Sequence, residues 1–391
     1  MSEQHPGLRD RPIYLDYNAT TPIDPQVFAV MTPYLGVEFG NPSSDHAYGR
    51  SAHGAMDRAR SAVAALVGAN ASEIIFTGSG SEADALAIRG AVLAARAAGA
   101  ERPHVITQVT EHPAVLAACR DLEVLHGVAV TYLPVDETGR VAPGAVQAAI
   151  TPNTVLVSIM HANNETGTIQ PIAEIAAITR ARGVLLHTDA AQSIGKIVVD
   201  VDDLGVDLLT VVGHKMYAPK GIAALYVRTG VSLRPIVGGG GQEHGLRAGT
   251  ENVAYAVGLG RAADLAVQAL AGGETARLTA LRDLLEQRLH DHLPGRVHLN
   301  GHPTERLPNT VNVRITGAPA LALLTGMPAV AASAGSACHA GRDEPSPVLT
   351  AMGLPRQDAL SALRLSLGRW STSSDIDEAA AAVAIASHRS V

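Results

Sequence analysis

Lys215 sits in the run Val212-Gly213-His214-Lys215-Met216-Tyr217-Ala218-Pro219-Lys220-Gly221, directly after a β-like apolar stretch. An amine at the mouth of a sheet, partly stripped of water, can condense with an aldehyde cofactor. A lysine on a solvated surface has no such chemistry. Asp189, in His187-Thr188-Asp189-Ala190-Ala191-Gln192, stands 26 positions before Lys215. Its carboxylate suits either a protonated ring nitrogen or the N-cap of a helix, and the residues alone leave both open. Gly78-Ser79-Gly80-Ser81 precedes a helical run opening with Glu82 and Asp84. It fits a phosphate at a helix N-terminus or a plain turn. Cys338, in Ser333-Ala334-Gly335-Ser336-Ala337-Cys338-His339-Ala340-Gly341, has small neighbours that leave a thiol reach and movement. Cys119 follows Val115-Leu116-Ala117-Ala118 and reads as a small buried hydrophobe.

Such groups need a scaffold, and the middle of the chain supplies one. β-Rich runs at Glu73–Thr77, His104–Val109, Val155–Met160, Val184–His187, Leu208–Val212 and Ala223–Val227 alternate with helical patterns. Ser81–Ala97, Pro113–His126 and Pro171–Ala181 are examples of the latter. This alternation predicts an α/β domain with a mostly parallel sheet. Polar or Gly-rich turns follow the strands at Gly78–Glu82, Thr110–His112, His161–Gly167, Thr188–Gln192 and Gly213–Lys215. Ligands of open α/β sheets gather beyond the carboxyl ends of strands, so these turns are expected to line one site. The pattern changes after about Val253. One long amphipathic segment, Ala263 to His292, is expected to lead into a smaller domain with shorter strands at Arg296–Asn300 and Asn309–Ile315. The expected division is a large domain over 14–262 and a small C-terminal one over 263–391 carrying Cys338. Tyr14–Pro22 is expected to pack against the smaller one.

Composition narrows the class. The 391 residues carry 30 Lys and Arg against 37 Asp and Glu, a net charge of −7, with no long basic run. That argues against a nucleic-acid surface. No apolar stretch approaches the roughly 20 residues that span a bilayer, and Met1 to Pro12 has no signal-like apolar core. Two cysteines give neither a disulfide framework nor a zinc set, which points to the cytoplasm and to no metal.

Several stretches together resemble the cysteine desulfurases of the NifS/IscS type: Tyr14-Leu15-Asp16-Tyr17-Asn18-Ala19-Thr20-Thr21-Pro22, the turn His161–Gly167, His187–Gln192 and Gly213–Gly221. The likeness runs from about Tyr14 to Ser374. It implies the PLP-dependent class V aminotransferase fold, pyridoxal 5'-phosphate as cofactor, and a homodimer. By the resemblance, Lys215 matches the lysine that holds the cofactor and Asp189 the partner of its ring nitrogen. Gln192 and Asn164 match contacts to O3′ and the ring. His112 matches the histidine stacked on the ring, which also moves protons. Gly80, Ser81 and His214 match phosphate positions, and Thr250 a phosphate contact from the other subunit. Arg364 and Asn41 match contacts to the substrate carboxylate, and Cys338 the sulfur acceptor. The implied reaction takes sulfur from L-cysteine, leaves L-alanine, and passes the sulfur through a Cys338 persulfide to an acceptor protein, as in iron–sulfur cluster assembly.

The sequence departs from that pattern in places. Val212 stands where many relatives carry serine, which removes a hydroxyl from the phosphate region. Gly239–Glu243, Gly249-Thr250-Glu251-Asn252 and the run after Cys338 resemble animal-type selenocysteine lyases, so L-selenocysteine is the alternative substrate.

Overall fold

The computed structural model describes residues 4–335 and 344–389. Its strands are β1 (Ile13–Tyr14), β2 (Ile74–Thr77), β3 (His104–Gln108), β4 (Ala129–Leu133), β5 (Thr154–Ser158) and β6 (Leu185–Asp189). They continue with β7 (Leu208–Val212), β8 (Ala223–Val227), β9 (Val297–Leu299), β10 (Thr310–Ile315), β11 (Val330–Ala331) and β12 (Ala362–Ser366). A seven-stranded sheet runs β2-β8-β7-β6-β5-β3-β4. Only β8 lies antiparallel to its neighbours, β2 and β7; the other pairings are parallel.

Alternation explains how that sheet is buried on both faces. Ile74, Phe76, Leu209, Val211 and Tyr226 belong to one hydrophobic cluster, while Ile75, Leu208 and Leu225 belong to another. Successive strand residues point to opposite faces, so each β-run feeds both cores. The first cluster includes residues of the helices Ala47–Leu66 and Val253–Ala271, and the second residues of Gly80–Ala97 and Pro113–His126.

A smaller antiparallel sheet, β12-β10-β9, shares a third cluster with the helices Glu274–His292 and Ser373–Arg389. β1 pairs in parallel with β11, and Leu15 is fully buried in the third cluster.

Three expectations need correction. The segment 263–292 is not one helix but two, Val253–Ala271 and Glu274–His292, broken at Gly272-Gly273. Gly273 has φ +86°, a left-handed conformation that glycine adopts without steric cost. Edge strand β4 escaped notice because its residues are mostly half-exposed and form no apolar run. Strand β6 reaches Asp189 itself, so this carboxylate ends a strand instead of lying past it.

Candidate active site

A cavity of about 400 Å³ opens at the carboxyl ends of the parallel strands. All five expected turns reach it: Ser79–Ser81, His112, Ala162 with Asn164, Asp189 with Gln192, and His214 with Lys215. Arg364, from β12 of the small sheet, closes the opposite side.

Each wall has a local cause. Ser79 caps the helix Gly80–Ala97 by accepting from the Glu82 amide at 3.2 Å, which brings that N-terminus to the cavity. The Gly80 backbone lies against β7, where an added Cβ would sit 2.6 Å from Val212 Cγ2. His112 caps the helix Pro113–His126, its Nδ1 accepting from the Ala114 amide at 3.2 Å. The neutral ring therefore carries its proton on Nε2. Burial pushes the His112 pKa down, against the pull of Asp189. His214 joins Thr20 Oγ1 through Nδ1 at 3.1 Å, and burial lowers it to about 4.

Lys215 Nζ donates to the carbonyls of Asn18 and Ala19, the latter at 2.8 Å. The start of the chain is thus part of the site. Asp189 is buried, with Oδ1 accepting from the Ala191 amide at 2.9 Å. The capping geometry read from the sequence exists, but a turn follows instead of a helix, and the carboxylate also faces the cavity. Burial raises the Asp189 pKa, countered by His112, the Ala191 amide and Lys215.

Beneath Asp189 lie two carboxylates whose part in the site the sequence did not reveal. Asp84 and Glu111 are buried, and Asp84 Oδ1 and Glu111 Oε2 have no hydrogen-bond partner among the described residues. Asp84 Oδ1 is 3.8 Å from His187 Nε2. Burial lowers His187 to about 3, so its ring is neutral and gives no compensating charge. Burial, then Asp189, holds the Asp84 pKa well above the carboxylate range; burial does the same to Glu111.

That arrangement fixes a pH dependence. An acid whose pKa is raised by folding costs no stability below its unfolded value near 4, and costs more as pH rises toward its folded value. Asp84→Asn removes that cost. The cofactor-free variant is expected to melt about 2 °C or more above the parent at pH 7–8, the gap closing toward pH 4. Calorimetry across that range checks it, and a gap that widens toward acid would refute the assignment.

Arg364 is 1% exposed. One terminal nitrogen pairs with Asp16 Oδ1 at 2.6 Å and the other donates to the Asn164 carbonyl at 3.0 Å. Asp16 and Asn18 were legible only as parts of a motif. Asn41 and Thr250 are exposed and do not line this cavity; Asn41 Oδ1 accepts from the Ser43 amide at 2.9 Å. Thr250 lines a separate recess beside Gly78 and Arg247. Cys338 lies outside the described residues. Cys119 is fully buried as expected, and burial pushes its thiol up to about 12.

The sequence profile of the family described as "Aminotransferase class-V" matches residues 13–379. The chain is 48% identical over 369 residues to a cysteine desulfurase of Trichormus azollae, covering 93% of this chain and 90% of that one. A solved NifS-like protein superposes with a TM-score of 0.87 at 34% identity, covering 95% of this chain and 98% of the other. The solved structure of SspA in complex with cysteine gives a TM-score of 0.80 at 38% identity, covering 92% and 99%.

Proposed function

The chain belongs to the aminotransferase class-V family, and from that premise we propose that it is a pyridoxal-phosphate-dependent cysteine desulfurase. The observation that carries this reading is the convergence of the Lys215 amine and the buried Asp189 carboxylate on one cavity.

The residues fit the cofactor. The buried Asp189 carboxylate, whose pKa is countered downward by His112, the Ala191 amide and Lys215, suits a cationic ring nitrogen. The 18-residue helix Gly80–Ala97 brings its N-terminus to the cavity, which suits a phosphate. Gly80, Ser81 and His214 would hold that group, with Lys215 at the aldehyde and His112 against the ring. When bound, the cofactor supplies an electron sink for charge developing on the substrate α-carbon.

The protein's own groups do the rest. Lys215 Nζ takes the substrate α-proton, steadied by the Asn18 and Ala19 carbonyls. Neutral His112, with its proton on Nε2, carries protons along the cavity wall. Arg364 offers its guanidinium to the substrate carboxylate, and Asp16 keeps that side chain extended toward the cavity. Cys338 takes the sulfur as a persulfide, leaving alanine.

A homodimer is supported by Thr250, exposed and off its own chain's cavity, where it is available to a second copy. Asn41, also exposed, would meet substrate by the same route. A sulfur-acceptor protein follows from persulfide chemistry, and a reducing cytoplasm suits a reactive thiol. The separate hydrophobic cluster around β9, β10 and β12 supports a small domain over 263–391.

Parallel assays with L-cysteine and L-selenocysteine test the function. L-Cysteine is expected to yield alanine and sulfur in equal amounts. Alanine from L-selenocysteine alone would transfer the protein to the lyase reading suggested by Gly239–Glu243 and Gly249-Thr250-Glu251-Asn252. Keto-acid formation, with the cofactor left in its amine form, would make it a transaminase and overturn both.

A further inference from the structure

Lys196 lies in the same segment as Gln192, after β6, and is 7% exposed. Its Nζ donates to Gln192 Oε1 at 2.8 Å and to Asn18 Oδ1 at 3.5 Å. Asn18 Oδ1 is held on its other side by Asn309 Nδ2 at 3.0 Å. No carboxylate pairs with Lys196 among the described residues. Glu274 shares a small recess with Lys196 and Lys215, but both its oxygens are taken by Arg277 at 2.7 Å. Arg369, in the same recess, is paired with Asp24. The charges that act on Lys196 are Lys215 and Arg364, both of its own sign.

Burial, then those two cations, drives the Lys196 pKa well below the lysine range. An uncharged amine has two N–H bonds, and two acceptors face it. The consequence falls on Gln192. With Oε1 turned to the lysine, Gln192 Nε2 donates to the Asn18 carbonyl at 3.0 Å and keeps one N–H for the cavity that Gln192 lines. The flipped amide would set Oε1 against the Asn18 carbonyl oxygen and leave the Lys196 N–H bonds one acceptor short.

We propose that Lys196 is a positioning residue for the cofactor: its amine locks the Gln192 amide in the orientation that offers an N–H to the bound group. This rests on the pyridoxal-phosphate reading above.

The test is spectroscopic. The visible band of the cofactor-loaded protein is titrated with pH, and cofactor affinity is measured by adding pyridoxal phosphate to the stripped protein. Lys196→Met is expected to move the band's pH midpoint by about half a unit or more and to weaken affinity about 5- to 10-fold. Gln192→Ala is expected to do the same, and the double variant to add nothing to it. A purely structural lysine predicts a lower melting temperature with an unmoved midpoint, or additive effects, and either result overturns the proposal. A wild-type protein without a visible band would refute the cofactor reading itself. Should Lys196→Met not fold, side-chain amide ¹⁵N NMR of Gln192 in the wild type decides: one Nε2 N–H signal is expected to shift on adding pyridoxal phosphate, and an amide whose two N–H signals both stay unmoved overturns the proposal.

Discussion

Lys215→Ala is expected to lower L-cysteine turnover at least about 10³-fold, with the fold retained. The catalytic loss follows from the site: in this cavity Lys215 carries the amine that faces Asp189 and His112. The folding expectation comes from the surrounding backbone. The Gly213 amide donates to the Ile222 carbonyl at 3.2 Å and the Thr21 amide to the His214 carbonyl at 3.0 Å, so the loop keeps its path without the lysine side chain. Alanine production and the absorption of added cofactor are the readouts. Partial return of activity with added small amines would tie the loss to the missing amine, and a variant keeping more than about a tenth of the rate would remove Lys215 from catalysis.

Cys338→Ala is expected to lower sulfur release from L-cysteine at least about 10²-fold and to abolish the protein-bound persulfide, leaving the cofactor's absorption unchanged. The residues flanking this segment are tied to the site. On one side Ser333 exchanges backbone hydrogen bonds with Arg364, at 3.2 and 2.7 Å. On the other, Ser346 Oγ donates to Glu165 Oε2 at 2.5 Å, and Glu165 adjoins the cavity residue Asn164. Cys338 is three residues beyond Gly335, a reach of roughly 11 Å at full extension. Mass spectrometry after one turnover is the measurement. Sulfur release at the wild-type rate would refute the persulfide route, and selenium release surviving the substitution would make Cys338 a selectivity residue.

Much of the scaffold was legible because a parallel sheet covered on both faces writes itself as apolar runs ended by polar turns. β7 and β8 match their expected limits for that reason. The five turns converge because strand polarity alone places them at one end of the sheet. Strand β4 was missed because a sheet edge carries no such pattern, and the 263–292 segment was misread because helical periodicity continues across the Gly272-Gly273 break.

At the site, residues with reactive groups beside turns were visible. Partners brought from far along the chain were not. The Asp16–Arg364 pair spans 348 residues, and no local pattern announces it. Asp84 and Lys196 were hidden differently. Each is an ordinary polar residue in its helix or turn, and only burial without an opposite charge makes it unusual.

The position of Asn18 has a consequence for the life of the newly made chain. Its amide donates to Ser366 Oγ at 3.0 Å and its side chain to Thr310 Oγ1 at 2.9 Å, while its carbonyl receives Lys215. Synthesis delivers Asn18 to the cell long before Ser366 leaves the ribosome. Lys215 therefore waits for its acceptor to be fixed until Ser366 has been made. A premature stop ahead of Ser366 would leave the Asn18 segment unfixed after Lys215 itself had been made.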